Sequence, residues 1–573
     1  QCGLMWKLHL LRKVTFFTKN LLIITKNLNQ LLLMTYSKNY WLNEESRTFL
    51  KRGYITESPE QRIRDMAYTA EKSLKIDGFA DKFIEYTEKG YYSFSTPVWI
   101  NYGKQKGLPI SCYGSNIDDS SDSILNANRE LGMMSKYGGG TSAYLGNIRP
   151  RGSAISTGGF ADGPIHYARM YDTVIDVFKQ SEARRGACAV WLPIEHGDIN
   201  EFLDIGTEGN PIQNLQYGVT ITDEWLNSMK SGDQTKRKIW AKVIQRRNEF
   251  GFPYIMFKDN SNNNSPYKEL GLEITASNLC SEIQLPTNSF ESFVCCIGSI
   301  NLLHWDEIIE TDAIEIYTLF LNAVLDEFIE KSVNLAGMKR AYTFAKAHRA
   351  IGVGVLGYHS LLQSKLIEFE SLEAKQYNYR IFKTIKQRTE KASKFLCSDK
   401  GVTCIREGYA NTTLVAVAPT KSSSFILGQV SMCTEPFKSN YFVKDLAKIK
   451  TVYKNPYLIA ELEKYKMNTP QIWENILKKD GSVQHLNFPK KEVFKTFLEI
   501  SPKEIVLQAA QRQKFIDQSQ SLNLMIHPSI PAKDINQLYL YAHEEGIKTL
   551  YYQFSQSSAQ AFAREILECK NCE

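Results

Sequence analysis

The chain has 573 residues, 43% of them hydrophobic, and a net charge of +7. Lys7, Arg12, Lys13, Lys19 and Lys26 fall in an acid-free stretch, residues 1–33, so the remainder carries only 7 − 5 = +2, which argues against a nucleic-acid-binding surface. Eleven scattered cysteines in so long a chain make no disulfide framework, and no apolar run reaches the roughly 18 residues of a membrane span, so a globular cytoplasmic protein with a large core is expected.

In chain order, residues 1–33 read as an extension outside the main fold, and Met34 offers a native start. Ser58-Pro59-Glu60-Gln61 has the pattern of a capping box with Pro at the first helical position. Ile63, Met66, Ala67 and Ala70 then form a helical stripe. Phe79, Phe83 and Tyr86 repeat it, with Gly90 as the stop. Residues 34–105 are therefore expected to be a small helical domain. From 106 to 553, β-rich runs mix with helical segments. Leu414–Ala418 and Thr549–Gln553 read as strands, Val324–Ile329 and Ala374–Phe395 as helices, which points to an α/β domain built on a sheet or barrel. Residues 554–573 read as a flexible tail.

The stretch Ser277-Asn278-Leu279-Cys280-Ser281-Glu282 sets an amide, a thiol and a carboxyl on alternate residues. In an extended chain these three side chains share one face, an arrangement suited to a thiol beside a general base. The competing reading is a buried cysteine in a polar strand. Around Cys112, the run Asp118-Asp119-Ser120-Ser121 can cap a helix beginning near Ser121. Gly138-Gly139-Gly140, the segment around Arg149, and Glu182-Ala183-Arg184-Arg185-Gly186 are glycine and arginine loops that suit phosphate, each a weak signal alone. Pro419-Thr420-Lys421-Ser422-Ser423 follows an apolar run and can bind an anion at a strand-to-helix turn, or be a polar turn with a helix cap. Tyr551 and Tyr552 by themselves are ordinary strand residues. The terminal Cys569-Lys570-Asn571-Cys572 reads as a redox pair rather than a zinc half-site, because no second Cys/His pair lies nearby.

Taken together, in order from Ser95-Thr96-Pro97 to Cys572, these motifs resemble the large, catalytic subunit of class I ribonucleotide reductase. The resemblance implies a ten-stranded α/β barrel behind a helical N-terminal domain, with Cys280 on a loop inside the barrel. It implies that Cys280 becomes a thiyl radical that abstracts the ribose 3′-hydrogen, that Glu282 is the base for the 3′-hydroxyl, and that Asn278 orients the substrate. Cys112 and Cys295 are implied as the pair that reduces the 2′-position, with Cys295 preferred to Cys296 by its spacing to Asn301-Leu302. Thr96, Ser111, Gly140, Pro419, Thr420, Lys421, Ser422 and Ser423 are implied to hold the ribose and diphosphate of a ribonucleoside diphosphate. Lys421 departs from the small or acidic residue frequent in the family.

Tyr551 and Tyr552 match the tyrosines that carry the radical from a metal-containing small subunit, which disfavours a cobalamin-dependent reductase. Asp119 and Arg149 match an effector site for deoxynucleoside triphosphates or ATP at a homodimer interface, with Arg184 on the loop that signals to the substrate. Cys569 and Cys572 are implied to accept electrons from a thioredoxin- or glutaredoxin-like donor. No cofactor or metal is expected within this chain, and no nucleic acid or membrane partner. With no nucleotide-binding helical module legible before residue 58, shut-off by dATP is not expected. A non-catalytic nucleotide-binding paralogue is the reading from another class, disfavoured because each implied catalytic position is filled.

Overall fold

The computed structural model describes residues 38–156, 158–178, 186–446 and 449–555, with only the backbone described for Cys295 and within 444–451. The 1–33 extension, Met34, Arg184, Cys569 and Cys572 lie outside the described residues.

The helices near the N-terminus form where expected. Ser58 accepts the Gln61 N–H at 3.2 Å and Pro59 begins the helix Pro59–Leu74, whose buried face includes Ile63, Met66, Ala67 and Ala70. The capping box is only half made, because the Gln61 side chain turns forward to Asp65. Phe79–Glu88 is the next helix, followed by Gly90 at φ +78°. Arg62, fully buried, donates to the carbonyls of Val98, Trp99 and Tyr102 at 2.6–2.9 Å, which satisfies the open end of the short helix Thr96–Asn101. This helical segment is not separate from the sheet. It contains strand β1 (Tyr92–Phe94), which pairs antiparallel with β7 (Phe293–Asn301).

Strands β2 (Cys112–Asn116), β3 (Gly140–Tyr144), β4 (Cys188–Pro193), β5 (Leu215–Ile221) and β6 (Tyr254–Phe257) run parallel in sequence order, with helices in the crossovers. They are buried along almost their whole length, as parallel strands covered on both faces must be. On the other side of β2, β7 pairs antiparallel, and β8 (Ile351–Leu356) follows parallel to β7 after the helices Ala313–Ser332 and Lys339–His348. At the far edge, β12 (Thr549–Leu550) pairs antiparallel with β6, completing a nine-stranded sheet. Two further two-stranded sheets join β9 (Tyr441–Leu446) to β10 (Ile449–Lys454), and β11 (Leu524–Ile526) to β13 (Gln553–Ser555). One large core runs from Trp41 to Tyr552, and a smaller one lies around Trp473, between Leu458 and Phe494. No helix among the described residues is long and apolar enough to cross a membrane.

Two expected strands differ. Leu414–Ala418 forms only isolated bridges, Val415 to Val353 and Val417 to Gln520, because the Asp517 carboxylate takes the N–H groups of Leu414 and Val415 at 2.9 and 2.8 Å. Thr549–Gln553 breaks in two at Tyr551-Tyr552. There the Tyr551 N–H goes to the Leu522 carbonyl, and its own carbonyl accepts from Arg247 at 2.9 Å. The expected helices are present inside Ala313–Ser332 and Leu372–Lys400.

Candidate active site

The stretch 277–282 is a turn rather than a strand. Ser281 sits in the left-handed region at φ +65°, its N–H meets the Asn278 carbonyl, and Asn278 Oδ1 accepts from Ile283 N–H at 3.1 Å. The turn brings Cys280 and Glu282 into one cleft together with Leu279, which strict alternation would have sent to the opposite face. Cys280 is half-buried and lines the cleft, whereas Glu282 is buried at 1% exposure. Burial pushes the Glu282 carboxyl up to about 7. Its own backbone N–H, Asn278 and the Ser521 hydroxyl pull the other way. The Asn278 Nδ2, itself buried, makes no well-formed hydrogen bond.

Beneath the turn, three residues form a row across the sheet. Cys112 at the start of β2 is the register partner of Gly140 in β3 on one side and of Cys295 in β7 on the other. Gly140 keeps this floor open. A Cβ there would stand 3.1 Å from Leu279 Cδ2 and 3.6 Å from the Cys112 sulfur. Cys296 belongs to the other face of β7, with its thiol donating to the Leu321 carbonyl at 3.3 Å and its pKa driven up by burial. Ile297 and Ser299 line the cleft.

The opposite wall is Ala418 to Ser423, where the chain enters the helix Lys421–Ile426. Thr420 does not cap this helix. Its Oγ1 instead accepts the Cys433 N–H at 2.8 Å, which ties the turn to the 430s loop. Lys421 lines the cleft, so it adds a cation to a wall of hydroxyls and backbone N–H groups, a combination that suits phosphate. Thr96 and Ser111 line the same cleft, so every expected substrate contact (Thr96, Ser111, Gly140 and Pro419 to Ser423) is gathered there. Sequence reasoning missed Ser93, Ser95 and Ser299, which also line it. Ser95 had a signal, because it opens the Ser-Thr-Pro motif, but the two strand serines had none.

Tyr551 and Tyr552 are buried with ring centroids 4.5 Å apart and planes tilted by 59°. Tyr254 of β6 packs on both, at 4.8 and 5.2 Å, a third tyrosine that the sequence did not single out. Two residues before Tyr551, the Thr549 hydroxyl donates to the Ser281 carbonyl at 2.8 Å, which joins the tyrosine segment to the cysteine turn. Asp119 and Arg149 lie outside the cleft, past the far end of β2 and β3. They form a half-exposed ion pair with Nε to Oδ2 at 2.5 Å, and the helix Ser121–Lys136, whose start near Ser121 was expected, begins beside them under a Ser120 cap.

Comparison with known proteins bears on this geometry. Residues 110–236, 227–406 and 403–553 match the family model described as ribonucleotide reductase, barrel domain. The ribonucleoside-diphosphate reductase large subunit of Invertebrate iridescent virus 3 is 31% identical over 592 residues, spanning 88% of this chain and 92% of the viral protein. That of Arabidopsis thaliana is 27% identical over 628 residues, 90% of this chain and 75% of the plant protein. The solved structure of the Actinobacillus ureae class Id ribonucleotide reductase alpha subunit is 52% identical, with a TM-score of 0.87 over 91% of this chain and 99% of that one. A cleft that places a thiol turn over a cysteine-bearing sheet, in a chain this similar along its length, makes the protein a member of the ribonucleotide reductase family, the large subunit of a class I ribonucleoside-diphosphate reductase.

Proposed function

We propose that this cleft is where the chain reduces the 2′-position of a ribonucleoside diphosphate, with residue roles as follows. Cys280, as a thiyl radical, takes the 3′-hydrogen and becomes a thiol, and it returns that hydrogen atom to C3′ once the 2′-position is reduced, which regenerates the radical. Glu282 accepts the 3′-hydroxyl proton, for which a base with a pKa near 7 is well matched. Asn278 offers its buried Nδ2 to a ribose hydroxyl. The 2′-hydroxyl leaves as water after protonation by a thiol of the Cys112 and Cys295 pair. The two thiols supply two electrons, end as a disulfide, and are restored by exchange with an external dithiol. Thr96, Ser111, Gly140 and residues 419–423 bind ribose and diphosphate, with Lys421 at the phosphate end. Cys112, Gly140, Cys280 and Glu282 lining one cleft, with Cys295 the register partner of Cys112 in the neighbouring strand, is the observation that supports this reading.

Tyr551 and Tyr552 relay the oxidising equivalent from a metal-containing small subunit to Cys280. Their ring contact and their tether to the cysteine turn support that role. Asp119, Arg149 and Arg184 read effector nucleotides in a homodimer, and Cys569 and Cys572 pass electrons from a thioredoxin- or glutaredoxin-like protein. We also read the catalytic unit, residues 106–553, as a ten-stranded barrel behind the helical segment 34–105. The backbone bonds linking residues 415–417 to 518–521, and 522–524 to 551–552, support closure between β8 and β12.

Purified protein mixed with its small subunit, cytidine diphosphate, an effector and dithiothreitol should form deoxycytidine diphosphate. Product without the small subunit but with adenosylcobalamin would overturn the reading. Within the same assay, Cys295→Ser should stop sustained turnover and Cys296→Ala should not; the opposite result would reassign the reducing pair.

A further inference from the structure

The cysteine turn is held from behind by hydroxyl groups that the roles above leave unused. Ser521 Oγ lies 2.7 Å from the Cys280 carbonyl and 3.2 Å from Glu282 Oε2. Thr549 Oγ1 lies 2.8 Å from the Ser281 carbonyl and 2.7 Å from Ser519 Oγ, while the Ser519 N–H meets the Glu282 carbonyl at 2.9 Å. Three consecutive carbonyls, 280 to 282, are thus anchored by the two segments that precede and lead into Tyr551. Ser521 is itself buried and stands outside the cleft lining.

A hydroxyl has one proton to give and lone pairs to receive with. Ser521 therefore cannot donate to the Cys280 carbonyl and to the Glu282 carboxylate at once. With Glu282 ionised, the two acceptors compete for that proton. With Glu282 protonated, the carboxyl can donate to Ser521 Oγ, and the Ser521 proton is released wholly to the Cys280 carbonyl. We propose that Ser521 is a positioning residue that couples the charge state of Glu282 to the fixing of the Cys280 turn, so that arrival of a proton on the carboxyl tightens the turn carrying the thiol. The proton that arrives on Glu282 is the one given up by the 3′-hydroxyl; Ser521 keeps its own hydrogen, and only the direction of its donation changes. The inference rests on Glu282 being the base. The titratable groups that share its cleft are Cys112, Cys280 and Lys421, and Ser521 is among the groups that favour its ionised form.

The test uses the full chain with Ser521→Ala, Ser521→Thr and Thr549→Ala. Infrared difference titration of the large subunit alone, with Glu282→Gln as the blank, reads the carboxyl directly. Ser521→Ala should move the Glu282 midpoint to higher pH, Ser521→Thr should restore it, and Thr549→Ala, which removes a clamp but leaves the carboxyl untouched, should not move it. In turnover with the small subunit, Ser521→Ala should lower kcat about tenfold to a hundredfold, the scale of a lost charge-assisted hydrogen bond, with KM within about twofold and the acidic limb displaced upward. Should Ser521→Ala fail to fold, Ser521→Cys, of similar size and weaker donor strength, is read the same way. An unchanged Glu282 midpoint in Ser521→Ala, or an equal change in Thr549→Ala, overturns the coupling. Normal turnover by Glu282→Gln would instead overturn the base assignment, a separate failure read from a separate variant.

Discussion

The ladder from β2 to β6 and the segments that follow β8 form two very different regions of one barrel. From β2 to β6 the neighbours pair in continuous parallel register, and the strands are buried. In residues 414–418 and 517–521, backbone pairing thins to isolated bridges and single bonds, and side chains take over much of the bonding. Asp517 binds the N–H groups of 414 and 415, Arg247 binds the Tyr551 carbonyl, and Ser519, Ser521 and Thr549 hold the cysteine turn. Regular pairing uses up every backbone group and leaves side chains free to pack. Irregular pairing leaves carbonyls and N–H groups that side chains can aim at a reactive turn. The first region is scaffold and the second is a mount.

The sharpest break in that comparison is at the mounted turn itself. Cys280→Ser should abolish multiple turnover, a loss of at least about a thousandfold in kcat, with the melting temperature and substrate binding nearly unchanged, because a hydroxyl fills the same space but has too strong an O–H bond. Isothermal calorimetry alongside the turnover assay checks both halves of this statement.

Next in size is Asp517→Ala. It strips two N–H groups (414 and 415) of their acceptor, leaves the Gln518 N–H only its bond to the Val415 carbonyl, and takes from Lys386 its 3.2 Å partner, so urea unfolding should show a loss of about 3 kcal/mol. A loss no greater than an ordinary surface substitution would mean the isolated bridges are not held by this carboxylate.

Glu282→Gln should separate activity from stability. The Glu282 pKa is about 7 in the folded chain against an ordinary 4.5, so between those pH values the folded state keeps a proton that the unfolded chain has lost. Native stability therefore falls as pH rises through that window. Glutamine removes this term, so the variant's melting temperature relative to the unsubstituted protein should climb from pH 5 to pH 8, by the equivalent of about 3 kcal/mol at most, while turnover collapses. A flat difference across pH would place the raised pKa in doubt.

The smallest effect belongs to the scaffold. Val190→Ala in β4 removes two buried methyl groups from a fully paired strand, which should cost about 1–2 kcal/mol in unfolding experiments and leave kcat and KM of the folded enzyme unchanged. A kcat change larger than that of Thr549→Ala would erase the distinction between scaffold and mount.

What was legible in the sequence follows the same division. The Ser58 and Ser120 caps, the stripe from Ile63 to Ala70 and the long central helices obey local rules, and the structure contains them. The 414–418 and 549–553 strands carried the right β-branched and aromatic residues, but their pairing was decided by Asp517 and Arg247, each more than a hundred residues away from one of them. The condition under which the three side chains would share a face, an extended chain, is not met, because Ser281 adopts a left-handed conformation that its residue type does not announce. Of the residues named from motifs, Thr96, Ser111, Cys112, Gly140, Cys280, Glu282 and 419–423 line one cleft. Tyr254 and Ser521 escaped notice because a tyrosine in a β-rich run and a serine among polar residues have no local pattern, and only the fold brings them to Tyr551 and Glu282.

The register across β2 and β7 has a mechanical consequence. Directly opposed residues of an antiparallel pair have Cα atoms about 4.5–5.5 Å apart, and a sulfur–sulfur link needs about 4.4–6.8 Å. Cys112 and Cys295 are such a pair. In the proposed reaction, backbone register lets a bond between them form and break without the strands moving apart, since each strand stays paired to its neighbours. Cycling of that bond would then leave the barrel wall in place.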